Sequence, residues 1–173
     1  MLAVGLTFSA QAILVTPTSS SLVLFGNDSS QSAIETLIQA NFGPLTVLYK
    51  QNQSPFTEEG SFAANYSTTF NNSDLTDSDA RISYVSGTPI NSDPVYALIK
   101  DGNATPNWYL FDISGWNGTD NVDFASFFNG QKNVSHVSLY GNQVGVPDGG
   151  TTIALLGFAL VGIGALRNKF SKN

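Results

Sequence analysis

Short apolar runs recur along most of the chain, and turn-forming residues separate them. The runs are rich in β-branched and aromatic residues and have the length of strands: TVLYK, SFAANYSTTF, RISYVS, PVYALIK, NWYLFDIS, NVDFASFF and VSHVSLYG. Asp101-Gly102 and Asn117-Gly118 provide turn chemistry between them. Seven or so short strands of this kind predict a mainly β fold, an antiparallel β-sandwich.

One stretch, SAIETLIQANFGP, shows helical spacing instead. Ser32 and Glu35 stand at the spacing of a capping box, and Gly43-Pro44 is a stop signal. The apolar positions on one side of the predicted helix are Ile34, Leu37 and Ile38. We therefore predict one short helix near the N-terminus.

The first residues, MLAVGLTFSAQA, form an apolar run that ends in Ala10-Gln11-Ala12. This small-x-small pattern is typical of a signal peptidase site. Residues 1–12 are therefore predicted to be a truncated signal peptide, with Ile13 as the mature N-terminus. No Lys or Arg precedes Lys50, so an ordinary buried strand at Met1 is the alternative.

A second apolar run, Ile153 to Leu166, precedes a basic end formed by Arg167, Lys169 and Lys172. As a helix it would span about 21 Å, less than a hydrocarbon core of roughly 30 Å. The run is apolar on every face, however, and snorkelling basic side chains extend its reach. We predict a transmembrane helix over 151–166 with a cytoplasmic basic end at 167–173. A buried core helix is the alternative.

The five residues before this run have the sequence VPDGG: Val146, Pro147, Asp148, Gly149 and Gly150. The order of motif, apolar helix and basic cluster resembles the PEP-CTERM sorting signal in its VPDSG-like variant. The resemblance implies that the chain is exported, held by its tail helix and passed to exosortase. Exosortase is a membrane-embedded cysteine transpeptidase that cuts near the motif. The proline and glycines suit an extended, accessible protease site.

The body resembles small proteins of the same group. The run WYLFDISGWNGTD followed by VSHVSLYG has the order of a Trp-rich strand, an Asn-Gly turn and a Ser-His-Val strand found in many of them. This resemblance implies a sandwich but supplies no activity. The predicted organisation is a signal peptide at 1–12, an exported body at 13–145 and a sorting tail at 146–173, with its motif at 146–150.

Charge and composition exclude several functions. Charged residues make up 12 % of the 173 residues. The segment from Ile13 to Val146 contains twelve acidic and four basic residues, which gives it a net charge of −8. An acidic body without a basic patch is repelled by phosphate backbones, so we expect no nucleic-acid partner. The chain has no cysteine, which excludes disulfides, thiolate metal sites and a cysteine nucleophile.

The ionisable residues indicate no catalytic site and no cofactor. His136 is the only histidine, it lies in an alternating run, and no G-x-S-x-G motif is present. One imidazole without a thiolate does not hold zinc well. Glu35, Glu58 and Glu59 suggest no carboxylate pair for glycoside hydrolysis.

Two groups of residues are candidates for ligand binding. Asp74, Asp77 and Asp79 cluster in NNSDLTDSDAR, so they form either a loose calcium site or a solvated loop, since EF-hand spacing is absent. Trp108 and Trp116, with Tyr109 and Tyr140, form either a platform for sugar rings or part of the core. Trp116, beside Asn117-Gly118, is the aromatic residue that we expect to be exposed.

The sequence therefore predicts a non-enzymatic exported protein. We expect it to be anchored transiently in the inner membrane, contacting lipid through its C-terminal helix, and then to reside in the cell envelope or extracellular matrix. Extracellular polysaccharide is an expected partner besides exosortase. The alternatives are a carbohydrate-binding β-sandwich and a secreted hydrolase.

Overall fold

The computed structural model describes residues 12–70, 78–128 and 134–142. These residues form ten strands, one α-helix and a single-turn 3₁₀ helix at Ala63–Asn65. In chain order the elements are β1 (Ile13–Val15), β2 (Leu22–Gly26), α1 (Gln31–Phe42), β3 (Thr46–Asn52), β4 (Thr57–Glu59), β5 (Tyr66–Phe70), β6 (Ser78–Tyr84), β7 (Val95–Asp101), β8 (Trp108–Asp112), β9 (Val122–Ala125) and β10 (Val134–Gly141).

The strands form two sheets. The smaller sheet has the order β1-β9-β6-β5 and the larger the order β2-β8-β7-β10-β3-β4. Neighbouring strands are antiparallel, apart from the parallel pair β1 and β9. The prediction of a mainly β, antiparallel-rich fold with one helix is confirmed. The short strands β1, β2 and β4 were not predicted; β2 and β4 are edge strands of the larger sheet, and β1 is an edge strand of the smaller one.

The main core lies between the two sheets. Alternate residues of each strand point inward, as the two-residue period of a strand requires. The larger sheet contributes Tyr49, Phe111 and Val137, and the smaller sheet contributes Tyr66, Ile82 and Phe124. Apolar burial between the sheets thus stabilises the sandwich.

A second core lies on the opposite face of the larger sheet, where helix α1 packs. Ile34 and Ile38 of the helix are buried together with Leu98, Trp108 and Leu110. Because β7 is covered on both faces, all seven of its residues are buried. This explains why PVYALIK is a nearly continuous apolar run rather than an alternating one. The described body therefore has three layers: sheet, sheet and helix.

The helix begins two residues earlier than its sequence suggests, with its N-cap at Ser30 rather than at Ser32. Ser30 is the N-cap, and its hydroxyl accepts a hydrogen bond from the N–H of Ala33 at 3.2 Å. The predicted capping box of Ser32 and Glu35 is wrong, because Gln31 already belongs to the helix. Its side-chain amide donates to the Glu35 carboxylate and to the Tyr140 hydroxyl of the larger sheet.

The predicted helix end is confirmed, whereas one of its predicted core residues is not buried. Gly43, with φ of 85°, terminates the helix and donates its N–H to the carbonyl of Gln39. Leu37 is 37 % exposed, so only Ile34 and Ile38 of the three predicted apolar residues face the core.

Replacing Ser30 by alanine is expected to lower the free energy of unfolding by about 1 kcal/mol, because the first turn loses its capping acceptor. Urea unfolding of the Ser30→Ala chain measures the change. The neighbouring exposed Ser29 serves as a control, and Ser29→Ala should have little effect. A larger loss for Ser32→Ala than for Ser30→Ala would contradict the observed cap.

Several predicted features lie outside the described residues. These are the signal peptide up to residue 11, the sorting motif at 146–150 and the transmembrane helix at 151–166. Within the described ranges, no helix is long and apolar enough to cross a membrane.

Candidate functional site

The two tryptophans do not form a surface platform. Trp108 is fully buried beneath the helix, where its indole N–H donates to the Asp28 carboxylate at 3.3 Å. Trp116 is only 7 % exposed and lies in the core between the sheets, where its N–H donates to the carbonyl of Asp120 at 2.9 Å. The expectation that Trp116 is exposed is therefore wrong. Each indole has an acceptor for its polar N–H, which allows the whole ring to be buried.

The two tyrosines of the predicted platform, Tyr109 and Tyr140, differ from each other in burial. Tyr140 is buried on the helix side of the larger sheet, and its hydroxyl accepts a hydrogen bond from the side-chain amide of Gln31 at 2.6 Å. Burial raises the pKa of this hydroxyl well above its ordinary value. Tyr109 points to the other face of the same sheet and is only half-buried. Of the four aromatics in the proposed platform, Tyr109 alone remains partly accessible.

Tyr109 lines an open cleft of about 540 Å³. The volume falls within the roughly 300–1,000 Å³ that is typical of small-molecule sites. Three segments of the body that are distant in sequence line it: the turn after β1, the loop between β7 and β8, and the segment after β9. The polar lining consists of side-chain hydroxyls, those of Thr16, Thr18, Thr105, Ser126 and Tyr109. Phe128, two prolines and an alanine complete the lining, and none of these residues is charged.

The wall after β9 has an unusual backbone. Ser126 and Phe128 have φ angles of 63° and 53°, a conformation that residues other than glycine seldom adopt. Between them, the N–H of Phe127 donates to the buried Asp79 carboxylate at 2.7 Å. Left-handed residues of this kind occur preferentially at functional sites, where the surrounding structure holds them. The cleft therefore has a wall that the core keeps in place.

The structure describes only one member of the predicted calcium cluster. Asp79 lies on β6 and is buried against the segment after β9, while Asp74 and Asp77 lie outside the described residues. Within the described part of the chain, no group of three or more histidines and carboxylates is positioned to hold a metal ion. The carboxylate of Asp79 accepts a hydrogen bond from the backbone N–H of Phe127.

His136 lies on the helix side of β10, in the middle of the larger sheet. It is buried, and it stands opposite Lys100 on β7 and Asn52 on β3. Burial lowers the pKa of the imidazole to about 3, and the positive charges of Lys50 and Lys100 add to this shift. The ring is therefore neutral at physiological pH.

The surroundings of His136 do not suit a catalytic base. Lys50 pairs with Glu59 at 3.4 Å, and Lys100 donates to the carbonyl of Asp101 at 2.9 Å. The imidazole Nδ1 lies 3.4 Å from the hydroxyl of Ser135, and its Nε2 makes no hydrogen bond to a described residue. A pKa near 3 is far from the value that general-base catalysis near neutral pH requires.

Sequence reasoning missed the cleft. Its hydroxyl and aromatic residues come from three loops, and no local motif links them. The turn-forming prolines in two of these loops were the available signal, but they indicate only loops.

The comparisons with known proteins concern the tail. Residues 145–170 match the family model described as the VPDSG-CTERM motif. No curated protein and no solved structure matches the chain. The match confirms the resemblance drawn from VPDGG, the apolar run and the basic end. The chain thus carries a PEP-CTERM-like sorting tail, which implies export, association with the envelope and processing by exosortase.

Proposed function

We propose that this protein is a non-enzymatic component of the cell envelope or extracellular matrix. In this proposal exosortase recognises the tail, cuts it and thereby delivers the body to its final location. The observation that carries the proposal is the VPDSG-CTERM motif at residues 145–170. A sorting signal directs a protein to a place outside the cytoplasm, and the body acts there.

Before processing, the tail holds the chain in the inner membrane. Residues 151–166 contact lipid as a helix, and Arg167, Lys169 and Lys172 stay in the cytoplasm because translocation of short segments disfavours positive charge. In this arrangement Pro147 and Asp148 lie at the outer face of the inner membrane. An enzyme embedded in the same membrane reaches them there.

The body acts by binding or by forming structure rather than by catalysis. Two observations on the described residues support this. The cleft around Tyr109 has no carboxylate or histidine in its lining, whereas a glycoside hydrolase needs two carboxyl groups facing one cleft. His136 is buried and has a pKa of about 3, so it suits a structural position.

Mass spectrometry of the exported protein tests the proposal, since it determines both ends of the mature chain. In a host with a matching exosortase, we expect a mature N-terminus at Ile13 and a C-terminus within the tail, without Arg167, Lys169 and Lys172. The same host without exosortase provides the control and should retain the tail. Full-length tails in both hosts would contradict processing, and an N-terminus before Ala12 would contradict the cleavage site.

A further inference from the structure

We propose that the cleft around Tyr109 is a binding site for neutral saccharides. The inference goes beyond the proposed function, because it concerns the body alone and does not depend on how the tail is processed. It also replaces the two buried tryptophans with a different set of residues.

The lining matches the two kinds of surface that a sugar ring presents. The faces of a pyranose carry C–H groups that pack against an aromatic ring, and its edges carry hydroxyls that both donate and accept hydrogen bonds. Tyr109 supplies the ring, half-buried and open to the cleft. Threonine and serine hydroxyls supply partners that donate and accept in the same way.

Several of these hydroxyls are available to a ligand. The side-chain hydroxyls of Thr105, Tyr109 and Ser126 make no hydrogen bond to any residue in the described ranges. The hydroxyls of Thr16 and Thr18, in contrast, lie 3.3 Å from each other, and that of Thr16 also lies 3.2 Å from the Ser19 hydroxyl. Burial raises the pKa of the Tyr109 hydroxyl, so this group remains a hydrogen-bond donor at neutral pH.

The aromatic surface continues beyond the cleft. The ring of Phe25 lies at 29° to that of Tyr109, with 6.2 Å between their centroids, and Phe25 is 57 % exposed. The ring of Tyr109 also packs edge to face with that of Phe127, with 5.2 Å between their centroids. Phe25 therefore extends the surface of the cleft along the edge strand β2 and offers contact area for a further sugar unit.

The charge of the site favours neutral over acidic saccharides. No charged residue lines the cleft, and the body from Ile13 to Val146 carries a net charge of −8. Uronic acids and sulfated sugars would meet this negative field without a cation at the site. Neutral hexose chains have no such electrostatic cost.

A proline-rich peptide is the competing ligand, because aromatic grooves also bind polyproline II segments. Such grooves depend on several aromatic rings side by side. Here the lining holds two rings, a buried Phe128 and a half-buried Tyr109, among five hydroxyl-bearing side chains, counting Tyr109 itself. A cleft with so many small polar donors and acceptors fits a polyhydroxylated ligand better.

The fixed wall of the cleft contributes to affinity. Ser126 and Phe128 keep their left-handed backbone while Asp79 holds the intervening N–H of Phe127. A site that is ordered before binding loses less conformational entropy when the ligand binds. The cleft is therefore expected to bind without a large rearrangement.

Calorimetric titration of the full-length chain tests the proposal. The chain is held in a polyoxyethylene detergent, which has neither a sugar headgroup nor a titratable group. The probes are three neutral hexasaccharides, namely cellohexaose, maltohexaose and laminarihexaose, together with hexagalacturonate and a decaproline peptide. We expect at least one neutral hexasaccharide to bind, and to bind more tightly than hexagalacturonate or decaproline.

Two variants locate the binding site. Tyr109→Ala is expected to weaken binding at least about tenfold, which corresponds to roughly 1.4 kcal/mol. Thr105→Val removes one exposed hydroxyl at nearly constant shape and should weaken binding several-fold. Phe56→Ala, at an aromatic residue that is 67 % exposed between β3 and β4, is the matched control and should bind like the unchanged chain. If Tyr109→Ala fails to fold, Tyr109→Phe and Thr105→Val locate the site instead, because each removes one hydroxyl of the cleft lining.

Three results would overturn the proposal. The first is a folded chain that binds none of the three neutral hexasaccharides. Preference for hexagalacturonate or decaproline would show that the ligand class is different. Neutral saccharide binding that Tyr109→Ala, or Tyr109→Phe in its place, and Thr105→Val leave unchanged would place the site elsewhere. Because the unprocessed chain is used, none of these results depends on exosortase.

Discussion

A chain carrying both Pro147→Ala and Asp148→Ala is expected to accumulate in the membrane at full length. The substitutions remove the part of the VPDGG motif that exosortase is proposed to read, whereas the apolar run and the basic end remain unchanged. Insertion should therefore proceed normally and cutting should stop. Immunoblots and mass spectrometry of the membrane and extracellular fractions, in a host with the matching exosortase, measure the outcome.

Changes in the other two parts of the tail provide contrasting controls. A lysine inserted at Leu160 would cost roughly 2.5 kcal/mol or more at the centre of the proposed transmembrane helix and should release an unprocessed protein. Neutral residues in place of Arg167, Lys169 and Lys172 should weaken retention or orientation. If the double variant at Pro147 and Asp148 is instead shortened like the unchanged chain, cutting does not depend on these two side chains and the proposed role of the motif is wrong.

Lowering the pH from 7 to 5 is expected to reduce the free energy of unfolding by about 2 kcal/mol through His136 alone. In the folded protein the pKa of His136 is about 3, because the ring is buried near Lys50 and Lys100. In the unfolded chain it returns to its ordinary value of 6.5. Between these two values the unfolded state binds the proton and the folded state does not. Stability from this group is thus present above pH 6.5 and is lost as the pH falls towards 3.

Urea unfolding of the full-length chain at several pH values between 7 and 5 measures this effect. The range lies above the ordinary pKa values of aspartate and glutamate, so their contribution to the slope is small. His136→Gln keeps a polar side chain of similar length without a titrating group. The variant should lose most of the pH dependence. If the free energy of unfolding changes equally with pH in both proteins, His136 is not the group responsible.

His136 also shows where sequence reasoning succeeds. Its run VSHVSLYG predicts a strand, and β10 occupies Val134–Gly141. The other long strands follow from their β-branched and aromatic runs, and the helix ends at Gly43 as its sequence predicts. These features depend on residues close together in the chain, for which propensity and turn chemistry are sufficient.

The sorting tail is the functional feature that sequence alone determined. Its three parts, the VPDGG motif, the apolar run and the basic end, follow one another directly, and each is recognised from residues close together in the chain. No tertiary contact is needed to recognise them. The match at residues 145–170 confirms this assignment.

Only the tertiary structure decided which side chains are buried and which are exposed. Trp116 stands beside an Asn-Gly turn, which predicts exposure, yet it packs against Tyr66 of the smaller sheet. The centroids of the two rings lie 5.8 Å apart. The first residue of the helix is likewise tied to the larger sheet, because the Gln31 side-chain amide donates to the hydroxyl of Tyr140, more than a hundred residues away. The cleft around Tyr109 arises where three distant loops meet. Its existence depends on how the two sheets pack, because strand propensities specify the elements but not the spaces between them.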